Sequence, residues 1–319
     1  MSAGQEARDG GERGVWLALA TVYLVWGSSY LGIRVALEGF PPFLLGAGRF
    51  IVAGLALYAF LRLRGERAPT VAEWRGAGVV GLLLLVGGNG LVTFAQQWVA
   101  SGLASVVVAT VPLWAGVFSG LSGHWPNWWE RSGLLVGFAG VALLQGEQGL
   151  RGQPAAAAAL VLAAVLWAAG SVWSQRVRLP SGLLGSAAQM IVGGAALLGM
   201  SLLGGERLDG PVPVRAWVAA GYLTVFGSLL AFSAYAYLLR RVRPGLATSH
   251  AYVNPVVAVT LGGLVMGEAV SLPGLGGIGL TLAGVLLVLM GREVGQERKT
   301  QVQATDNRGG VGCYTTRGC

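Results

Sequence analysis

Charge is what this chain has least of. Asp, Glu, Lys and Arg together make up 11% of its 319 residues, against about 25% in a soluble globular protein. Cysteine is scarcer still: Cys313 and Cys319 both lie in a polar C-terminal stretch, which excludes a disulfide framework and a cysteine metal cluster. Histidine occurs twice, as His124 and His250, and no apolar run holds a pair of carboxylates. A membrane-embedded enzyme would need an acid, base, nucleophile or metal set within the membrane, and a channel would show polar or charged rings in several helices. Neither pattern is present. Gly274-Leu-Gly276-Gly277-Ile-Gly279 has the form G-x-G-x-x-G, but no strand precedes it and no acidic residue follows at about 20 positions. It is read as helix packing, and no cofactor is expected.

What is abundant is apolar sequence. Hydrophobic residues reach 54% and mean hydropathy is +0.63. Runs of about 20 residues, each long enough to span a bilayer, fall at 15–37, 43–62, 75–98, 101–122, 131–146, 155–175, 183–203, 216–239, 245–267 and 273–291. The first run is too long for a signal-peptide core of about 7–15 residues and is read as a retained span. Ten spans make five per half, and an odd number per half inverts the second half in the membrane. The expected fold is therefore an all-α integral membrane protein, with two inverted-topology repeats of five transmembrane helices. Its parts are a polar, unfolded N-tail over 1–14, a first repeat over 15–146, a second over 155–291, and a disordered tail over 292–319. The 53 glycines have no period of three; Gly133-x-x-x-Gly137 and Gly263-x-x-x-Gly267 suit close helix approach.

The halves echo each other. Gly102-Leu-Ala-Ser105 and Gly245-Leu-Ala-Thr stand 143 positions apart, as do Pro112 and Pro255. Trp26 corresponds to Trp167, Phe50-Ile51-Val52 to Met190-Ile191-Val192, Phe94 to Phe232 and Ala139-Gly140-Val141 to Ala283-Gly284-Val285. Their common order carries the repeat. A proline within an apolar helix frees carbonyls that lipid cannot satisfy, and paired interruptions in corresponding helices point to a substrate site between the repeats.

The net charge of +8 is distributed as membrane topology rather than as a nucleic-acid surface. With the N-terminus inside, 17 Lys and Arg fall on the inner side. Arg34, Arg151, Arg207 and Arg215 fall outside, and Arg49 lies within a span. Both termini are therefore expected in the cytoplasm. The expected partners are the lipid bilayer and a small-molecule substrate, with no nucleic acid.

These residues resemble the ten-helix drug/metabolite transporter superfamily with two EamA-type repeats. The resemblance runs through Trp26-Gly27-Ser28-Ser29-Tyr30, Pro41-Pro42 with Arg49-Phe50, Phe94-Ala-Gln-Gln, and the whole of 245–268. It covers about 15–291 and implies an inner-membrane carrier or exporter of small, amino-acid-like metabolites, with the substrate between the repeats. One position departs from that pattern: the ninth helix closes with Gly267-Glu268, but the fourth reads Gly123-His124-Trp125.

Candidate substrate-binding residues are Trp26, Asn89, Pro112, Trp167, Ser228, Asn254 and Pro255. Trp26 and Trp167 lie roughly 17 Å deep by helix rise, away from the interfacial belt where Trp16, Trp74, Trp98, Trp125, Trp128, Trp129 and Trp217 belong. Asn89 and Asn254 carry amides that hydrocarbon penalises unless paired; interhelical glue is the competing role. Ser228 belongs to a polar stripe with Ser233, Tyr235 and Tyr237. Arg49, His250 and Glu268 are candidate charge partners. For Arg49, a counter-charge to a substrate carboxylate competes with a structural role at helix-end carbonyls, snorkelling outward, and the structural role is the expectation. His250 and Glu268 lie near helix ends, where simple solvation is common. No carboxylate reaches the midplane, so facilitated transport or exchange by alternating access is expected; proton-coupled drug or metabolite efflux is the alternative, and a membrane-embedded enzyme or channel a further one.

Because Cys313 and Cys319 are the only thiols, an impermeant thiol reagent should miss them in intact cells and label them after permeabilisation. Labelling without permeabilisation would reverse the assigned orientation.

Overall fold

The computed structural model describes residues 3–121, 127–144, 152–242, 250–268, 271–284, 286–287 and 290. His124 with its neighbours Gly123 and Trp125, Arg151, the Gly-Leu-Ala-Thr-Ser start at 245–249, and the tail with Cys313 and Cys319 lie outside the described residues. Among the described residues all regular structure is helical: α1 Ala3–Ala36, α2 Pro42–Leu63, α3 Val71–Ala95 and α4 Ser101–Phe118, α5 Trp128–Leu144, α6 Pro154–Trp173, α7 Leu183–Leu203, α8 Val214–Leu238, α9 His250–Met266 and α10 Leu272–Gly284. Seven are long and apolar enough to cross a membrane: α1 to α4 and α6 to α8. Within the described residues, α5, α9 and α10 are shorter. The N-tail differs from expectation, since α1 reaches back to Ala3; its Ala, Gln, Glu and Arg residues are good helix formers.

Local chemistry sets the helix ends. Pro42 occupies the first turn of α2 and Pro154 that of α6, where a missing N–H costs nothing. Thr70 and Glu73 form a reciprocal capping box at the start of α3. Gly65 and Gly205, 140 positions apart, end α2 and α7 in the left-handed region, at φ 86° and 68°. In both, the next residue's N–H bonds back five positions, Glu66 to Leu61 and Glu206 to Ser201, which satisfies late carbonyls.

Among the described residues the interior of three helices is irregular, and the pattern partly repeats. α3 widens to a π-helix over Leu82–Gly90 and α8 over Leu223–Ala231, 141 positions apart. α4 breaks into a turn at Ala109 and Thr110 just before Pro112, which has no N–H to return to the preceding turn. Pro255, its counterpart in sequence, sits inside a continuous α9.

The halves pack mainly on each other. α2 lies along α7; α1 packs on α8 and α9, and α6 packs on α3 and α4. The α2–α7 crossing is a backbone approach made through glycine. A Cβ on Gly54 would stand 2.9 Å from the Ile191 nitrogen, and one on Gly194 would stand 2.9 Å from the Ile51 nitrogen.

Gly54→Leu or Gly194→Leu should therefore cost at least about 1–3 kcal/mol and lower the melting temperature of detergent-purified protein. Gly48→Leu and Gly199→Leu, where nothing lies within 4 Å, are the matched controls and should melt near the parent.

Candidate functional site

A cavity of about 80 Å³ lies where the irregular stretches meet. One water needs roughly 10–15 Å³ on this scale, and drug-sized sites run to about 300–1,000 Å³, so the space suits a small molecule. α1 contributes Trp26, Ser29, Tyr30 and Ile33, a spacing of three and four residues that puts all of them on one face. The π-helix of α3 contributes Gly88 and Asn89, and that of α8 contributes Gly227. Trp167 comes from α6, and His250 and Asn254 from α9. The lining thus draws on both halves.

Trp26 is the hinge of an aromatic cluster. Its ring meets Trp167 edge-on at 5.7 Å, His250 edge-on at 5.0 Å and Tyr235 at 4.9 Å, geometries favoured by ring quadrupoles. Its indole N–H donates to the Gly227 carbonyl at 3.3 Å. Trp167 lies over Gly88, where a Cβ would stand 2.5 Å from Cε3; the glycines of the π-helix make room for the ring. Asn254 is 6% exposed and its amide nitrogen, in the orientation that satisfies the group, donates to the carbonyls of Tyr23 and His250 at 3.3 and 3.2 Å.

Arg49 departs from the outward-snorkelling expectation. It is 4% exposed and turns inward: Nε donates to Ser228 Oγ at 3.0 Å and Nη1 to Asn89 Oδ1 at 3.4 Å. The guanidinium also lies 4.7 Å from the Phe50 ring centroid. The bare Gly227 admits it, since a Cβ there would meet Nη2 at 3.2 Å and Ser29 Oγ at 3.3 Å. One buried cation therefore ties the π-helix of α3 to that of α8.

Of the residues singled out from sequence, Trp26, Asn89, Trp167, Asn254, Arg49 and His250 line the cavity. Pro112, Ser228, Pro255 and Glu268 do not. Pro112 shapes the break beside Ala109, Ser228 holds Arg49, and Pro255 follows Asn254 along α9. Sequence reasoning passed over Tyr30, Phe50 and Phe232, which also line the space; Tyr30 lies four residues from Trp26, so helical spacing could have found it.

Glu268 is not merely solvated. Beyond Gly267, at φ 67°, it accepts from Ser101 N at 2.9 Å, Ser101 Oγ at 2.7 Å and Gly102 N at 3.3 Å, capping α4 with a negative charge where helix N–H groups lack partners. Glu206 does the same for α2, accepting from Phe43 N and Leu44 N at 3.1 and 2.8 Å. Glu38 pairs with Arg215 at the same end, and Arg34 donates to the Gln96 and Gln97 carbonyls at 2.6 and 2.9 Å, closing the end of α3.

Apolar spans around a central, mixed aromatic and polar cavity define a membrane transporter. Comparison with known proteins gives the family: the EamA-like transporter family matches twice, over residues 12–145 and 154–290, and the chain belongs to it. It is similar to the uncharacterized inner membrane transporter YedA of Escherichia coli strain K12, 43% identical over 276 residues, covering 86% of this chain and 90% of that one. It is also similar to a probable terminal-alkyne amino-acid exporter of Streptantibioticus cattleyicolor, 24% identical with 90% and 96% covered. A solved crystal structure shares the fold at a TM-score of 0.63, 23% identity, and coverage of 87% of this chain and 98% of that one.

Glu268→Gln keeps the shape but leaves one acceptor oxygen where two carboxylate oxygens accept three hydrogen bonds, so it removes the charge and at least one of the bonds. The variant should lose about 1–3 kcal/mol, read as a lower melting temperature, and Ser101→Ala should lose less because both backbone donors keep their acceptor.

Proposed function

We propose that the protein is a secondary transporter of small, amino-acid-like metabolites in the inner membrane, working by alternating access between two inverted five-helix repeats, with ten spans and both termini in the cytoplasm. The observation that carries this reading is the cavity itself: it is built from both halves around Trp26 and Trp167, which stand 141 positions apart. The matching offset of the π-helices, the exchanged packing of α1 and α6, and the two family matches at 12–145 and 154–290 support the repeat. The names of the relatives support the membrane and the substrate class: one is an inner membrane transporter and another an amino-acid exporter.

Facilitated transport or exchange suits this cavity better than proton coupling. A proton-driven carrier needs a titratable group reachable in turn from both sides, and among the described residues no carboxylate lines the space. Glu38, Glu206 and Glu268 are engaged at one end of the bundle. His250 does line the cavity, which keeps proton-coupled efflux as the second reading.

In proteoliposomes, Trp167→Ala and Asn254→Ala should cut transport at least about tenfold while the purified variants stay monodisperse; unchanged transport in both would return these residues to packing. An imposed pH gradient, with equal substrate on both sides and the voltage clamped, should give no accumulation. Accumulation abolished by His250→Ala would establish the second reading instead.

A further inference from the structure

The cavity has a charge preference that follows from which donors are already used. Arg49 has two hydrogen bonds to protein, both to neutral oxygens, through Nε and Nη1. Among the described residues Nη2 meets no acceptor, and no carboxylate lies within 4 Å of the guanidinium. Asn89 spends its Oδ1 on Arg49 and leaves its amide nitrogen without an acceptor among the described residues. Both side chains line the cavity, and Tyr30 belongs to the same lining. On the opposite account, the lining contains no Asp or Glu. A full positive charge held away from water without a counter-ion is costly, and the cost is relieved by a ligand that supplies the missing anion.

We infer that the cavity binds a small organic carboxylate, with the carboxylate group against Arg49 Nη2 and the Asn89 amide and a short apolar tail against the rings of Trp26 and Trp167. The inference rests on the transport reading only in taking the cavity as the substrate site. The planar fork of an arginine matches a carboxylate, and the unused donor nitrogens, Arg49 Nη2 and Asn89 Nδ2, stand on neighbouring side chains already joined by a hydrogen bond. A phosphate monoester would bring up to two negative charges to a single cation and leave one uncompensated. An ammonium group finds only neutral acceptors and ring faces, so it adds little to binding. The cavity volume limits the tail to the size of an aliphatic amino-acid side chain rather than a drug.

The test uses the full-length protein in detergent and a matched set of ligands. Isocaproate, leucine, leucinamide and isoamylamine share one branched tail and differ in their charged groups; inorganic phosphate is the fifth probe. A ligand that binds only the native state raises its melting temperature. Isocaproate should stabilise the parent at least as well as leucine, and leucinamide, isoamylamine and phosphate should not. Arg49→Gln should weaken isocaproate binding at least about tenfold, and Arg49→Lys should recover part of it. If Arg49→Gln does not fold, Asn89→Asp carries the test: a carboxylate placed beside Arg49 should abolish the isocaproate response. The inference is overturned if isoamylamine stabilises the parent as well as isocaproate, if isocaproate is silent, or if its binding survives both substitutions. Stabilisation by isocaproate with no movement of any carboxylate in proteoliposomes would leave the anion site standing and defeat the transport reading. Transport of an amine that Trp167→Ala blocks would do the reverse.

Discussion

Hydrocarbon offers no hydrogen bonds, and this single constraint arranges the rest of the molecule. Every backbone group in a span must be satisfied by its own helix or turned toward protein or water. Among the described residues the helices are interrupted in three places, at the two π-helices and at the break before Pro112, and all three adjoin the central cavity through Asn89, Gly227 and Ala109. Irregular backbone is tolerated there because lipid is absent. The same interruptions supply what a binding site requires, a wider helix surface and carbonyls such as that of Gly227, which the Trp26 indole reaches.

Glycine is the means of holding this arrangement together. Without a hydrophobic drive between helices in lipid, close packing and polar contacts join them, and small residues permit both. Gly54 and Gly194 bring the α2 and α7 backbones together, while Gly88 and Gly227 admit Trp167 and Arg49 into the centre. One consequence is that packing and site are not separable: the residues that make the bundle tight are neighbours of those that line its cavity. Arg49 shows this most directly, since the cation that faces the cavity also bridges α3 and α8 through Asn89 and Ser228.

How much of this was legible beforehand depended on range. Apolar helices are readable because an apolar run of bilayer length has few other uses, and among the described residues seven are long and apolar enough to cross a membrane; Trp26 and Trp167 are readable as a pair because they stand 141 positions apart at matching places in the two halves. The direction of Arg49 was not readable. Depth alone leaves an arginine free to snorkel or to turn inward, and Ser228, which decides the matter, lies 179 positions away. The π-helices were hidden for a different reason: their sequences, Leu82–Gly90 and Leu223–Ala231, are nearly all apolar and carry no periodicity to count. Glu268 reads from sequence as a helix-end residue, a candidate charge partner or a solvated group, and its bond to Ser101 is hidden because that partner is 167 positions distant. Capping boxes such as Thr70 with Glu73 are visible in sequence only because both halves of the bond are local.

The end of the bundle that carries Glu38, Glu206 and Glu268 follows a logic of its own. Each carboxylate comes from one half and engages the other: Glu206 the start of α2, Glu268 the start of α4, and Glu38 the arginine that opens α8. Helix N-termini present several N–H groups without partners, so an anion there is held by more than one bond. Three such contacts fasten the halves to each other at one end while the cavity lies deeper in the bundle. On the proposed alternating-access mechanism, one end opens as the other closes, and opening this end would exchange these carboxylate contacts for water. Being polar, and with none of the three carboxylates fully buried, they can be rehydrated at a lower cost than a buried apolar seam. That end is fastened by packing as well as by charge, with Phe40 edge-on to Trp217 and Ile33, Ala36 and Leu45 clustered with Ala219 and Leu223, and its carboxylate contacts are the part that water can replace.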